Sequence, residues 1–128
     1  MVIDSSALVA IILEEPDASI YLSAIANTST ALLSTATFVE TSLVLLRRRK
    51  HDALTVLDIV ISQLKIETVP VDHEQGLLAR EAFLRFGKGR HKAGLNFGDC
   101  FSYALAKQTG EPILFKGNDF SKTDIVSA

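Results

Sequence analysis

Short apolar runs alternate along the chain with longer stretches in which apolar residues recur every three or four positions. Val2-Ile3 is the first run, stopped by Asp4, after which Ser5 or Ser6 is placed to cap a helix running through Leu13. Glu14-Glu15-Pro16 breaks that helix, and a second short one is predicted over residues 17–26. Small polar residues at 27–30 form a turn, and Ala31-Leu32-Leu33-Ser34 reads as a buried strand. From 35 to 50 the spacing is helical, with Val39, Leu43 and Leu46 on one stripe. The basic run Arg47-Arg48-Arg49-Lys50 suits the end of that helix, because it complements the dipole. Asp52 is expected to cap a helix through Leu64, and residues 66–71 alternate with β-branched side chains as a third strand. Asp72 and Gln75 have capping-box spacing for a helix to about Phe86. A loop over 87–96 carries Gly87, Gly89 and Gly94, and a helix follows from about 98 to 107, stopped by Gly110 and Pro112. Ile113-Leu114-Phe115 is a fourth strand, Gly117-Asn118-Asp119 a turn, and Ile125-Val126 a short fifth strand.

Strands alternating with helices define an α/β fold, with a mostly parallel sheet and helices on both faces. Purely apolar short strands fit a sheet covered on both sides. No repeat or low-complexity segment divides the chain, and its 128 residues match one domain spanning 1–128. At 48% apolar and 22% charged the sequence is neither a disordered segment nor a coiled coil. The single cysteine, Cys100, excludes an intramolecular disulfide and a cysteine-rich zinc site, and fits a reducing compartment. No apolar run approaches the roughly 20 residues that span a bilayer, and no signal peptide is visible. The expectation is a soluble cytoplasmic protein with no membrane association. The net charge of −2 gives no global argument for nucleic acid.

In such sheets ligands gather outside the carboxyl ends of the strands, so the residues there carry the functional question. Asp4 follows the first strand, Asp72 the third and Asp119 the fourth, while Glu40 and Asp99 interrupt apolar helical context. Each has an ordinary structural role open to it. Asp4 fits a helix N-cap as well as a functional group, and Thr37-x-x-Glu40 has capping-box spacing. Asp99 suits a helix dipole, Asp119 suits a turn, and Gln75 completes a box with Asp72. Taken together, Asp4, Glu40, Asp99 and Asp119 read differently. If their strands are neighbours, all four point into one cleft. Two carboxylates ~5 Å apart repel by ~3 kcal/mol at an effective dielectric near 20, so four must bind a cation or protonate. Oxygen ligands without His or Cys suit Mg²⁺ or Mn²⁺ rather than zinc. Such ions orient a water, lower its pKa and stabilise a phosphorane-like transition state, which is phosphodiester hydrolysis.

Four segments carry a family likeness: Val2-Ile3-Asp4-Ser5-Ser6-Ala7-Leu8, Thr37-Phe38-Val39-Glu40-Thr41, Phe97-Gly98-Asp99-Cys100-Phe101-Ser102-Tyr103-Ala104-Leu105-Ala106 and Leu114-Phe115-Lys116-Gly117-Asn118-Asp119-Phe120. With these in order, the whole chain resembles the PIN-domain nucleases, specifically the small VapC-type toxins of bacterial toxin–antitoxin pairs. The resemblance implies a three-layer α/β/α fold and a Mg²⁺- or Mn²⁺-dependent endoribonuclease. It makes Asp4 and Asp99 the core metal ligands, with Asp119 holding the metal or its waters and Glu40 positioning water. Ser6 matches a hydroxyl residue supporting the first acid, and Asn118 a polar position beside the fourth. Cys100 departs from the alanine that follows the third acid in many relatives, which bears on local packing. The resemblance also implies an RNA substrate, a homodimer and inhibition by a DNA-binding VapB-like antitoxin that covers the cleft.

The likeness gives the basic residues a meaning. Arg47 to Lys50 form one cluster and Lys88, Arg90 and Lys92 another, together seven of the 13 basic residues. The first fits a solvated helix end, whereas the glycine-spaced loop is the better candidate for phosphate contacts. His51 and His73 sit in cap regions and have no partner spacing, and His91 reads as a surface residue rather than a general base. Gly89 to Gly94 mimics a phosphate loop but lacks its Lys-Ser/Thr and does not link a strand to a helix. A haloacid-dehalogenase-like phosphatase and a receiver-like signalling domain each need a second acid near Asp4, and Cys100 lacks a histidine activator. The alternative to a nuclease is a non-catalytic PIN-like or receiver-like binding module, against which all four acids being present argues. Setting those four acids aside leaves basic residues in slight excess, so the net charge is compatible with an acidic cleft beside basic patches.

Overall fold

A computed structural model describes residues 1–48 and 52–128. Arg49 and Lys50, half of the first basic cluster, and His51 lie outside the described residues. The described chain runs β1 (Val2–Ile3), α1 (Ser5–Ile12), α2 (Ala18–Ala26), β2 (Leu32–Ser34), α3 (Thr35–Arg47), α4 (Ala53–Gln63), β3 (Glu67–Val69), α5 (His73–Phe86), α6 (Phe97–Thr109) and β4 (Ile113–Leu114), then a 3₁₀ turn at Phe120–Lys122. The strands form one parallel sheet in the order β3-β2-β1-β4. Chain direction across the sheet reverses at β1, so the crevice between the carboxyl ends of β1 and β4 is the topological switch point.

Strands of two or three residues hold because both faces are covered. Ile3, Leu33 and Leu114 pack with Leu8, Leu45 and Leu57 of α1, α3 and α4. Val2, Leu32 and Ile113 point the other way, into Phe86, Tyr103 and Leu105 of α5 and α6. Each fully buried Leu or Ile contributes roughly 1.5–3 kcal/mol, enough to offset the weakness of so few ladder bonds. This is the three-layer α/β/α arrangement expected, and the sheet is parallel throughout.

Every predicted helix is present, and so are four of the five predicted strands; the differences lie in the caps, the element ends and the last strand. Asp4 itself caps α1, accepting from Ser6 N at 3.0 Å, so neither Ser5 nor Ser6 is the cap. Ile125-Val126 forms no strand: Ile113 N donates to Val126 O at 3.0 Å and a single bridge joins Ile113 to Ser127. Asp72 accepts from Gln75 N at 2.8 Å, but the Gln75 amide turns away to Pro70 O and Gln108 Oε1, leaving half of a capping box.

The α3 stripe is the larger surprise. Val39, Leu43 and Leu46 are 52%, 49% and 54% exposed, while the buried face of α3 carries Thr37, Thr41 and Leu45. The periodic pattern was genuine, but it marks the outer face. Among the described residues no helix is long and apolar enough to cross a membrane.

Candidate active site

The switch-point crevice is a cleft of about 310 Å³ whose walls include Asp4, Glu40, Asp99 and Asp119. Each acid arrives by a different route. Asp4 ends β1, and its backbone N donates to Leu114 O at 3.0 Å, which fixes it against β4. The residue is 2% exposed, and its carboxylate is held on both oxygens. Oδ2 accepts from Ser6 N at 3.0 Å and Ser6 Oγ at 2.7 Å, and Oδ1 accepts from Ser102 Oγ at 2.8 Å. Ser6 Oγ in turn accepts from Lys116 N at 2.9 Å, which ties the loop after β4 to the end of β1. Asp119 lies on that loop, exposed, at the N-cap of the 3₁₀ turn but without a side-chain cap bond, so its carboxylate is left for the cleft.

Asp99 sits in the first turn of α6 because Asn96 and Asp99 form a reciprocal capping box: Asp99 N donates to Asn96 Oδ1 at 2.9 Å and Asn96 N donates to Asp99 Oδ2 at 2.8 Å. One side chain therefore both caps α6 and lines the cleft. Burial pushes the Asp99 carboxyl up to about 7, against the Asn96 N–H bond, and the charges of Asp4, Glu40 and Asp119 push the same way. Those three repulsions express electrostatically that the four acids share a site. Glu40 stands on α3. The Thr37-x-x-Glu40 box does not form, since Ser34 caps α3 through Ala36 N at 3.3 Å. Desolvation and then Asp4 hold the Glu40 carboxyl above its ordinary value, opposed by the Ser5 hydroxyl. Its Oε2 is buried without a hydrogen-bond partner. The carboxylate lies directly on Gly98: a Cβ there would come within 2.1–2.2 Å of it. A side chain at 98 would thus force the Glu40 carboxylate out of its present position.

The donor set fits a hard divalent cation. It consists of carboxylate oxygens, one of them orphaned, in mutual repulsion that a cation would relieve. Among the described residues no three Asp, Glu, His or Cys side chains stand close enough together to hold a metal ion as they are placed, so a cation there would require the acid side chains to turn toward one another.

The remaining candidates divide. Ser6 is bonded to Asp4 as stated. Asn118 is exposed and does not line the cleft; its carbonyl accepts from Ser121 Oγ at 2.7 Å. Lys88, Arg90 and Lys92 are exposed on a closed loop between α5 and α6, pinned by Lys88 N to Leu95 O and Leu95 N to Phe86 O, both 2.9 Å. Gly89 and Gly94 take φ of +82° and +65°, which lets so short a loop close. His91 packs edge-on to Phe86 at 5.2 Å and its Nδ1 accepts from Ala93 N, a structural role. Arg47 borders the groove beside Glu40 and Phe97.

Sequence reasoning missed four residues here. Asn96 and Lys116 line the cleft, and Thr37 and Ser102 lie beneath it. Asn96 was detectable from its capping-box spacing to Asp99. The Lys116 ammonium pairs with Asp17 Oδ1 at 2.8 Å and with Glu15, and no local pattern signals that.

Comparison with known proteins gives the class first: the PIN domain family model matches residues 1–126. The particular kinship follows. The chain is 48% identical to a protein named Ribonuclease VapC of Mycolicibacterium smegmatis, over 99% of this chain and 98% of that one. It is 47% identical to Ribonuclease VapC30 of Mycobacterium tuberculosis, over 99% and 97% respectively. The crystal structure of Mycobacterium tuberculosis VapC20, titled a Sarcin-Ricin loop cleaving toxin, superposes with a TM-score of 0.80 at 19% identity, over 99% of this chain and 97% of that one, and supports the fold. The chain belongs to the PIN-domain family, among its VapC ribonucleases.

Proposed function

We propose that the protein is a divalent-cation-dependent endoribonuclease, the toxin of a VapBC-type pair, hydrolysing RNA phosphodiester bonds at the four-acid cleft. The observation that carries the reading is the convergence of Asp4, Glu40, Asp99 and Asp119 at the switch point of a chain whose relatives are named as ribonucleases. Family membership displaces the receiver-like alternative, and a full acid set speaks against a module that only binds.

In this reading Asp4 and Asp99 hold the cation, Mg²⁺ or Mn²⁺, with Asp119 and Glu40 completing the oxygen set. When bound, the cation supplies a lowered water pKa and neutralisation of charge developing on the phosphoryl oxygens. The chain's residues do the rest. Ser6 fixes the Asp4 carboxylate, and Asn96 N–H fixes Asp99. Glu40, with one oxygen unpartnered, accepts a hydrogen bond from the attacking water and orients it. The protein is expected to cut RNA with Mg²⁺ or Mn²⁺ and to stop in EDTA, read on gels of total RNA. Undiminished cleavage in EDTA would sink the proposal.

The Lys88–Arg90–Lys92 loop is assigned to the RNA backbone. Neutralising all three is expected to flatten the slope of log affinity against log salt by about 2, at ~0.7 per single-strand phosphate contact. An unchanged slope returns the loop to plain solvated surface. A homodimer and a VapB-like antitoxin belong to the same reading. The exposed Val39 and Leu43 line a groove with Phe97, itself 79% exposed, and with Glu40 of the cleft, which supplies an apolar face for a covering partner.

A further inference from the structure

Thr37 on α3 and Ser102 on α6 are fully buried hydroxyl residues. Ser102 Oγ donates to Asp4 Oδ1 at 2.8 Å and lies 3.2 Å from Thr37 Oγ1. A carboxylate only accepts, and a serine has one proton. The Ser102 proton is committed to Asp4, so Thr37 must be the donor to Ser102. The bonds therefore run in one direction, from Thr37 to Ser102 to Asp4, joining α3, α6 and the end of β1.

Burying two hydroxyls is unfavourable unless they are bonded, and alanine and valine would fill the same space without that cost. Two further features tie the pair to the cleft. Among the described residues Ser102 is the one side chain donating to Asp4 Oδ1, while Ser6 holds Oδ2. Thr37 also precedes Glu40 by three residues on α3, so both face the same neighbour, and the contact that anchors Thr37 on α6 sets Glu40 over Gly98.

We infer that Ser102 is a positioning residue of the acidic cleft, fixing the rotation of the Asp4 carboxylate, with Thr37 orienting the Ser102 hydroxyl. The inference rests on the reading of the cleft as a divalent-cation site. Ser102 does not line the cleft and acts through Asp4. Hydrogen-bonding partners of metal ligands typically change affinity 10–100-fold when lost.

The test measures Mn²⁺ affinity of the purified full chain by titration, alongside kcat and KM for RNA and the melting temperature. Ser102→Ala is expected to weaken Mn²⁺ about 10-fold and lower kcat similarly with KM unchanged. Thr37→Val, which keeps shape but loses the donor, is expected to weaken Mn²⁺ several-fold, and Thr37→Ser to restore it. The double variant is expected to bind no more weakly than Ser102→Ala alone, whereas independent packing losses would add. Wild-type Mn²⁺ affinity in a folded Ser102→Ala protein overturns the inference, as do additive losses. If Ser102→Ala does not fold, Thr37→Val decides, and an unchanged affinity there overturns it. A wild-type protein that binds no Mn²⁺ overturns the cation-site reading itself, an outcome distinct from the others.

Discussion

Asp4→Asn is expected to lower RNA cleavage by about 10³-fold or more, which is ~4 kcal/mol of transition-state stabilisation, while leaving a folded protein. The loss follows from charge. Four carboxylates line the cleft, and Asp4 is the most buried of them and the one bonded on both oxygens. In the proposed reading, removing its charge removes an anionic ligand whose direction the fold has fixed. Survival of the fold follows from the donors. An asparagine at position 4 can keep its oxygen toward Ser6 N, which only donates, and present its amide to Ser102 Oγ, whose hydroxyl can rotate to accept. The helix cap is thereby retained, and Glu40 and Asp99 each lose a repelling neighbour. Melting temperature in EDTA is thus expected to hold or rise as activity disappears. Wild-type turnover by a purified Asp4→Asn protein would remove Asp4 from the site, and a collapsed melting temperature would reassign it to the fold.

That Asp4 is both cap and candidate ligand explains how far the sequence could be read. The strands were legible because short apolar runs such as Val2-Ile3 and Ile113-Leu114-Phe115 are each cut off by a charged residue, Asp4 and Lys116. The third was read too long at 66–71, because only Glu67–Val69 pairs with β2 before Pro70 ends the ladder. Both readings of Asp4 and Asp99 were visible, and a structural role at a helix start does not exclude a chemical one. A carboxylate has two oxygens, and Asp99 uses Oδ2 for Asn96 while its charge still bears on the cleft. What periodicity could not supply was direction. Val39, Leu43 and Leu46 form a stripe as regular as any core face, yet the fold buries Thr37 and Thr41 instead. Those threonines satisfy their hydroxyls, Thr41 on Thr37 O at 2.7 Å and Thr37 on Ser102, so burying them costs little. Ser102 was unreadable for a related reason. Its partner Asp4 is 98 residues away, and a serine in a helix carries no local mark of a distant carboxylate.

The cation-free protein is expected to lose stability as pH rises from about 4 to about 7, and Asp99→Asn is expected to abolish most of that loss. The Asp99 carboxyl is raised from 3.8 to about 7 on folding, by burial first and its acidic neighbours after. Between those values the folded state holds a proton that the unfolded state has released. Unfolding therefore becomes easier with each step in pH, and the slope vanishes below 4 and above 7, where both states agree. Three units correspond to ~4 kcal/mol at most, and an open cleft screened by solvent reduces this to ~1–2 kcal/mol. For a domain of this size that is a fall of about 5 °C in melting temperature. Asp99→Asn keeps an oxygen for Asn96 N but has no charge to develop, so its melting temperature in EDTA is expected to overtake the wild type above pH 7. Millimolar Mg²⁺ is expected to reverse the order, raising the wild type at pH 8 and leaving Asp99→Asn unmoved, because only the ionised acid set gains from the cation. Melting curves at pH 5, 6, 7 and 8 with EDTA or Mg²⁺ measure both effects. Parallel curves for the two proteins in EDTA would mean that Asp99 ionises freely in the fold, and no strained acid cluster would then exist for a cation to relieve.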